Sequence, residues 1–403
     1  MQPRSLRHPP FLSPCRRMAL VHDGVNIYGV PIAPARSRTR RRQVDNRPPV
    51  TDRREAGIVE EFMPTCTSPA QVVRCEQFCD EAAALGVKVT VGEPLARHTT
   101  FRIGGPADLY AAVNDGALLM RLVALAKPYA IPVTVLGGGS NVLISDAGVA
   151  GLVISNQTRT IQECVSEPVP AGHLPQVVAD SGVALAGLAR WTVQAGWSGL
   201  EWAVSVPGTV GGAVIGNAGA HGGDIAGALA WAQVSYGGQP PGILTPADLA
   251  FAYRSSALKR QLAAQESEGS RDSPLVVAAG FNVTQGDAAE MAARADAFLA
   301  RRRASQPVEP SAGSIFRNPA GDHAGRLIEA AGLKGHRIGG AQISPRHANF
   351  IINTGDAVAE DVLALIELVR ERVSERFGLT LIPEIVFLGW WATRPAFGPL
   401  RKT

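Results

Sequence analysis

Residues 207–223 read Pro-Gly-Thr-Val-Gly-Gly-Ala-Val-Ile-Gly-Asn-Ala-Gly-Ala-His-Gly-Gly and contain seven glycines, where the chain average of 43 in 403 predicts about two. Glycine loses more backbone freedom on folding than any other residue, so such density is costly unless something must approach the backbone closely. A dinucleotide is one object that does so. A low-complexity linker is the competing reading, but Pro207, Asn217 and the interleaved Val, Ile and Ala argue against it. A second glycine segment, Gly137-Gly138-Gly139-Ser140-Asn141, lies between the apolar runs Val133–Leu136 and Val142–Ile144. A Rossmann fingerprint needs a helix after its glycines and a P-loop needs a closing Lys-Ser or Lys-Thr; this loop has neither. What remains is a strand–loop–strand turn. It is either an anion-binding nest of backbone N–H groups or a tight turn that requires positive φ.

Charge is unevenly distributed. Residues 1–63 hold 12 Arg against 6 acidic residues, whereas the other 340 hold 27 basic and 29 acidic. The main body is therefore mildly acidic, and the overall +4 is no argument for nucleic-acid binding. Residues 1–63, with the basic run Arg36–Arg42, read as a disordered extension, with Met18 and Met63 as alternative starts. No secretory h-region is visible, and no apolar run approaches the ~20 residues of a membrane span. Cys15, Cys66, Cys75, Cys79 and Cys164 form no regular framework and have no partners at zinc spacing. They read as thiols in a reducing compartment, without metal.

Interleaved strand and helix patterns indicate an α+β or mixed α/β chain. Helices are expected near 117–127, 183–195, 322–331 (Ala324, Leu327, Ile328 and Ala331 on one face) and 358–377 (Val362, Ile366, Val369, Val373 and Phe377). Polar residues 265–273 read as a surface loop, and Leu379–Leu388 as an apolar strand carrying the lone carboxylate Glu384. Domains are expected at 64–150, 151–300 and 308–389, with 390–403 as a tail.

Several segments, taken in order, resemble one family. They are Thr99–Gly105, Leu136–Asn141, Val206–Ala213, Tyr253-Arg254-Ser255-Ser256, Ser311–Pro319, Ala324–Gly335, Ile338–Ala341 and Pro383-Glu384-Ile385. Together they resemble the UDP-N-acetylenolpyruvoylglucosamine reductases, in the shorter subtype that lacks a tyrosine capping loop. The resemblance covers about residues 85–389. It implies an α+β architecture: an FAD-binding fold of the vanillyl-alcohol-oxidase-like (PCMH) type in two subdomains, plus a C-terminal α+β substrate domain whose last strand returns to the FAD region. It also implies a cytoplasmic enzyme, a monomer or weak oligomer. Its FAD would be noncovalently bound and reduced by NADPH, and its substrate would be UDP-N-acetylglucosamine enolpyruvate.

The same resemblance places FAD along Gly137, Gly138, Gly139, Ser140 and Asn141, and along Pro207, Gly208, Thr209, Gly211, Gly212, Asn217 and Gly219. It implies Ser314 as proton donor, with Arg254 and Glu384 as the other catalytic residues. An always-charged guanidinium suits a carboxylate, and a buried carboxyl can stay neutral and donate a hydrogen bond. Against these stand a surface Arg, a serine in a turn and a structural carboxylate. Tyr253, Asn318, Arg326 and His347 are expected to contact the nucleotide sugar, against surface or capping roles. His98 reads as structural, Ser311 as off the matching position, and His221 as a residue beside the second glycine segment, with a place near the FAD as the lesser alternative. A sugar or alcohol oxidase of the same superfold, or a non-catalytic flavin or nucleotide-sugar binding module, remains the alternative.

Overall fold

In the computed structural model, residues 69–164, 174–268 and 273–391 are described. The basic segment 1–63 with Cys15, the following residues to 68 with Cys66, residues 269–272 of the expected loop, and the tail beyond Trp391 lie outside them.

The first unit holds α1 (Pro69–Ala84), β1 (Val89–Pro94), β2 (Pro106–Val113), α2 (Gly116–Ala126), β3 (Val133–Leu136), β4 (Val142–Ile144) and β5 (Val149–Asn156), and all its strands but β4 form one sheet. The strand order is β1-β2-β5-β3, with β1 antiparallel and the others parallel. β5 is almost continuously buried, as expected of a parallel strand covered on both faces. Asp115 starts α2 by accepting the Leu118 N–H, and the helix buries Leu119, Leu122, Val123 and Ala126 against Phe78, Leu109 and Ile154.

The second sheet follows, with β6 (Ile161–Cys164), β7 (Gln176–Asp180), α3 (Leu185–Gln194), α4 (Val210–Gly216), β8 (Leu229–Tyr236), β9 (Gly242–Leu244), α5 (Ala257–Glu268), β10 (Pro274–Asn282) and α6 (Ala288–Ser305). Its order is β9-β8-β10-β7-β6, antiparallel throughout. Leu185, Leu188, Val210, Val214 and Phe281 lie in one core. The expected loop at 265–273 is corrected in its first part, since residues up to Glu268 continue α5. Ala263, Ala264, Gln265 and Glu266 are good helix formers that polarity alone disguises.

The third unit contains β11 (Ser311–Ser314), α7 (Ala324–Ala330), β12 (Arg337–Ile338), β13 (Ala341–Ile343), β14 (Phe350–Asn353), α8 (Ala359–Phe377) and β15 (Val386–Leu388). The antiparallel order is β11-β14-β13-β12. Val362, Ile366, Val369 and Val373 of α8 are buried. Phe377 is the exception: it is 36% exposed, under the guanidiniums of Arg326 and Arg376. Gly378 (φ +63°) ends the helix immediately after it.

Phe101, Ile103 and Leu143 from the first unit share a core with Phe316, Leu327 and Ile366 of the third. The Asp146 carboxylate accepts the N–H groups of Ala359 and Glu360 and so caps α8 across the same boundary. β15 lies parallel to β4, pairing Val386 with Val142. The expected strand Leu379–Leu388 shrinks to these last three residues, preceded by an isolated bridge between Pro383 and Phe316. A proline has no N–H for a longer ladder.

Candidate active site

The two glycine segments meet. A Cβ on Gly138 would lie 3.3 Å from the Gly208 Cα, and one on Gly208 (φ +100°) would lie 2.7 Å from the Ser140 Oγ. A Cβ on Gly137 would collide with the Thr209 hydroxyl, and one on Gly211 with Ser181. Much of the glycine requirement therefore comes from packing one loop on the other. The second segment is no linker, because Val210–Gly216 forms helix α4, which ends at Asn217 in the left-handed region.

The paired loops still present donors. Among the described residues, the amides of Gly138, Gly139 and Ser140, and of Gly208, Thr209 and Gly212, have no protein acceptor. Uncommitted N–H groups on a glycine floor suit a pyrophosphate, so the residues present fit a dinucleotide cofactor.

Three further segments close on this floor. The Thr100 N–H donates to the Gly139 carbonyl, and its hydroxyl donates to the Ser311 carbonyl at 2.7 Å. Val386 N–H donates to the Asn141 carbonyl, and the Asn141 amide reaches the Glu384 carbonyl at 3.4 Å. Glu384 N–H donates to Ile315, next to Ser314, at 2.7 Å, while Arg317 N–H donates to Ile382. Ser314 and Glu384 thus stand on adjacent antiparallel segments, and Ser314 is half-buried.

Arg254 enters from the second unit. Ala252 and Ser255 exchange both backbone hydrogen bonds, so Tyr253 and Arg254 form a two-residue turn. Arg254 has φ +54°, a left-handed conformation that costs a non-glycine residue about 1–2 kcal/mol. Its guanidinium is aimed by three contacts: Nε to the Glu384 carboxylate at 2.9 Å, one terminal nitrogen to the Asn217 carbonyl at 3.3 Å, the other to the Gly219 carbonyl at 2.6 Å. Two of its five N–H groups remain for a ligand. Tyr253 is 55% exposed, with its ring 5.3 Å from the guanidinium carbon.

Burial pushes the Glu384 carboxyl up from the usual carboxylate range, against the opposing pull of Arg254, Lys259 and Arg317. Burial also pushes the Lys259 ammonium down, helped by Arg317 and Arg254 and resisted by Glu384. Lys259 and Arg317 escape a motif reading because their importance lies in what they face. The position of Arg317 inside Ser314-Ile315-Phe316-Arg317 was the available signal.

Beside Gly219 opens a polar cleft of about 440 Å³ lined by Ser205, His221, Arg301, Arg302 and Gln306. His221 stacks on Phe298 at 4.3 Å and shares a hydrogen bond with the Ser205 hydroxyl; burial, with Arg301 and Arg302 nearby, keeps its pKa below the ordinary range. The Gln306 side-chain oxygen is buried without a partner among the described residues. The run Arg301-Arg302-Arg303 was the overlooked sequence signal here.

The other sequence candidates are engaged locally. Asn318 accepts the Ala324 N–H at the start of α7, and Arg326 is held by the Asp322 carboxylate. His347 packs edge-on to Phe350 and accepts the Asn349 N–H. His98 lies against Glu93 and stacks on Tyr110. Among the described residues no group of His, Cys, Asp and Glu could hold a metal ion, and no helix is long and apolar enough to cross a membrane.

An FAD-binding domain model matches residues 107–236, so fold and site together define an FAD-binding oxidoreductase. A model of the UDP-N-acetylenolpyruvoylglucosamine reductase C-terminal domain matches residues 306–388. A reductase of that name from Chloroflexus aggregans is 42% identical over 304 residues, covering 75% of this chain and 98% of the relative. One from Synechococcus sp. (strain JA-3-3Ab) is 44% identical over 318 residues, covering 78% and 96%. The crystal structure of the Thermus caldophilus UDP-N-acetylenolpyruvylglucosamine reductase superposes with a TM-score of 0.60 at 33% identity, covering 75% of this chain and 98% of that one. The chain belongs to the UDP-N-acetylenolpyruvoylglucosamine reductase family, flavoenzymes of peptidoglycan precursor synthesis with the vanillyl-alcohol-oxidase-like FAD fold.

Proposed function

We propose that this protein reduces UDP-N-acetylglucosamine enolpyruvate to UDP-N-acetylmuramate in the cytoplasm, with NADPH as reductant and noncovalently held FAD. The observation that carries the reading is the convergence of Arg254, Glu384 and the segment bearing Ser314 beside the paired glycine loops. Bound FAD supplies the hydride. The protein's own task is to hold the alkene and manage charge.

Hydride arriving at the β-carbon of an α,β-unsaturated carboxylate pushes electron density onto that carboxylate. Arg254 has two uncommitted N–H groups for it, already aimed by the bonds to Asn217, Gly219 and Glu384. Burial pushes the Glu384 carboxyl toward its protonated form, the form that donates a hydrogen bond to the same developing charge. Ser314 then protonates the α-carbon. A hydroxyl is a weak acid, but the carbanion is strongly basic and the donor is held in place by β11. The substrate diphosphate is assigned to the cleft of Arg301 and Arg302 rather than to Arg326, whose guanidinium already has the Asp322 carboxylate. Tyr253, exposed with its ring beside the Arg254 guanidinium, is assigned a contact with the nucleotide sugar. His98 is engaged with Glu93 and Tyr110, which supports noncovalent binding.

An anaerobic absorbance titration tests the reading. NADPH is expected to bleach the flavin, and the enolpyruvyl sugar to restore it without oxygen. Recovery only on admitting air would overturn the substrate assignment in favour of an oxidase.

A further inference from the structure

We propose that Lys259 is a positioning residue of this site: its ammonium clamps the left-handed turn at Arg254 and supplies one of the positive charges facing Glu384. The proposal rests on the reductase reading. The Arg254 carbonyl accepts a hydrogen bond from Lys259 Nζ at 3.3 Å. That bond restrains a residue whose backbone is strained at φ +54° and whose guanidinium must point at Glu384.

Lys259 is itself anchored to the glycine floor. The Ser256 hydroxyl, fully buried, donates to the Ile215 carbonyl of α4 at 2.7 Å and accepts the Lys259 N–H at 3.1 Å. The first turn of α5, the Arg254 turn and the second glycine segment are therefore tied together by hydrogen bonds. A half-buried ammonium under the repulsion of two guanidiniums is unfavourable unless an anion offsets it. Among the described residues the carboxylate that does so is Glu384. Among the described residues the charged groups facing Glu384 are Arg254 from its turn, Lys259 from α5 and Arg317 from the segment after β11. Removing one of three cations makes it harder for Glu384 to lose its proton. A lysine with a purely structural role leaves that proton where it was.

The test uses the full-length, FAD-loaded enzyme and its Lys259→Met, Lys259→Gln and Lys259→Arg variants. The rate at which the enolpyruvyl sugar reoxidises the pre-reduced flavin is followed against pH, with the thermal midpoint measured alongside. Lys259→Met is expected to slow reoxidation about tenfold through the lost clamp. It is also expected to move the alkaline limb of the profile about one unit to higher pH. Lys259→Arg returns the limb toward wild type. Should Lys259→Met fail to fold, Lys259→Gln keeps a donor for the Arg254 carbonyl without the charge and carries the same expectation for the limb. Variants that match wild type in rate and limb, whatever their thermal midpoints, overturn the proposal. So does a limb that moves to lower pH. A wild type that the sugar does not reoxidise removes the reductase reading together with the proposal, so the two failures are distinct.

Discussion

Arg254→Lys separates a guanidinium that orients from a charge that merely attracts. Arg254 holds Glu384, Asn217 and Gly219 through three different nitrogens and keeps two N–H groups for substrate. A lysine ammonium has three donors radiating from one atom and cannot reproduce a planar fork. At least two of the charge-assisted contacts are then lost in the transition state. At about 1.5 kcal/mol each this totals about 3 kcal/mol, or about 10²-fold in rate. The loss belongs to the step in which the substrate carboxylate gains charge. Anaerobic stopped-flow absorbance is the assay, measuring flavin reduction by NADPH and reoxidation by the enolpyruvyl sugar separately. Reoxidation is expected to fall about 10²-fold, with reduction changed far less. An Arg254→Lys enzyme reoxidised within about tenfold of wild type, or slowed equally in both halves, would refute the assignment.

Ser314→Ala is expected to slow reoxidation by about 10²–10⁴-fold while NADPH still reduces the flavin, and equal loss in both half-reactions would exclude a proton donor. Gly208→Ala places a methyl 2.7 Å from the Ser140 hydroxyl at φ +100°, so the purified protein should lose its flavin absorbance. Gly216→Ala meets nothing within 4 Å and lies in α4, so it should retain FAD and gain about 0.5–1 kcal/mol in denaturant melts. Retention of FAD by both variants would mean that the loop contact does not shape the cofactor site. Burial, with Lys334 nearby, holds the His347 pKa below its ordinary value. Its contribution to stability is thus present above the unfolded value near pH 6.5 and is lost as pH falls from there through the folded value. His347→Gln should flatten the fall of the thermal midpoint between about pH 7 and pH 5, leaving the part due to His221. An unchanged slope would show that His347 titrates alike in both states.

Much of the fold was legible because its signals are local. The stripe Val362, Ile366, Val369 and Val373 marks a buried helix face by spacing alone, and Gly378 marks its end. The apolar runs on either side of Gly137–Asn141 are the strands β3 and β4, with no helix between. The misreadings also have local causes. Helix-forming residues up to Glu268 passed for a loop because they are polar, and Pro383 interrupts what looked like one strand from Leu379.

The candidate site divides along the same line. By itself the sequence determined the residue types and their order: two glycine segments, Tyr253-Arg254, Ser314 and a lone Glu384 in apolar surroundings. Chemical identity travels with the residue, so these could be read one segment at a time. Only the tertiary structure decided that Gly208 crowds Gly138, that a side chain at Gly139 would strike the His98 carbonyl, and that the carbonyls of Asn217 and Gly219 aim Arg254. It also decided that Lys259 and Arg317 face Glu384, and that a cleft lined by Arg301 and Arg302 opens beside Gly219. Each of these is a relation in distance and direction between segments far apart in the chain. Local propensity does not encode such a relation; the packing of the three units does.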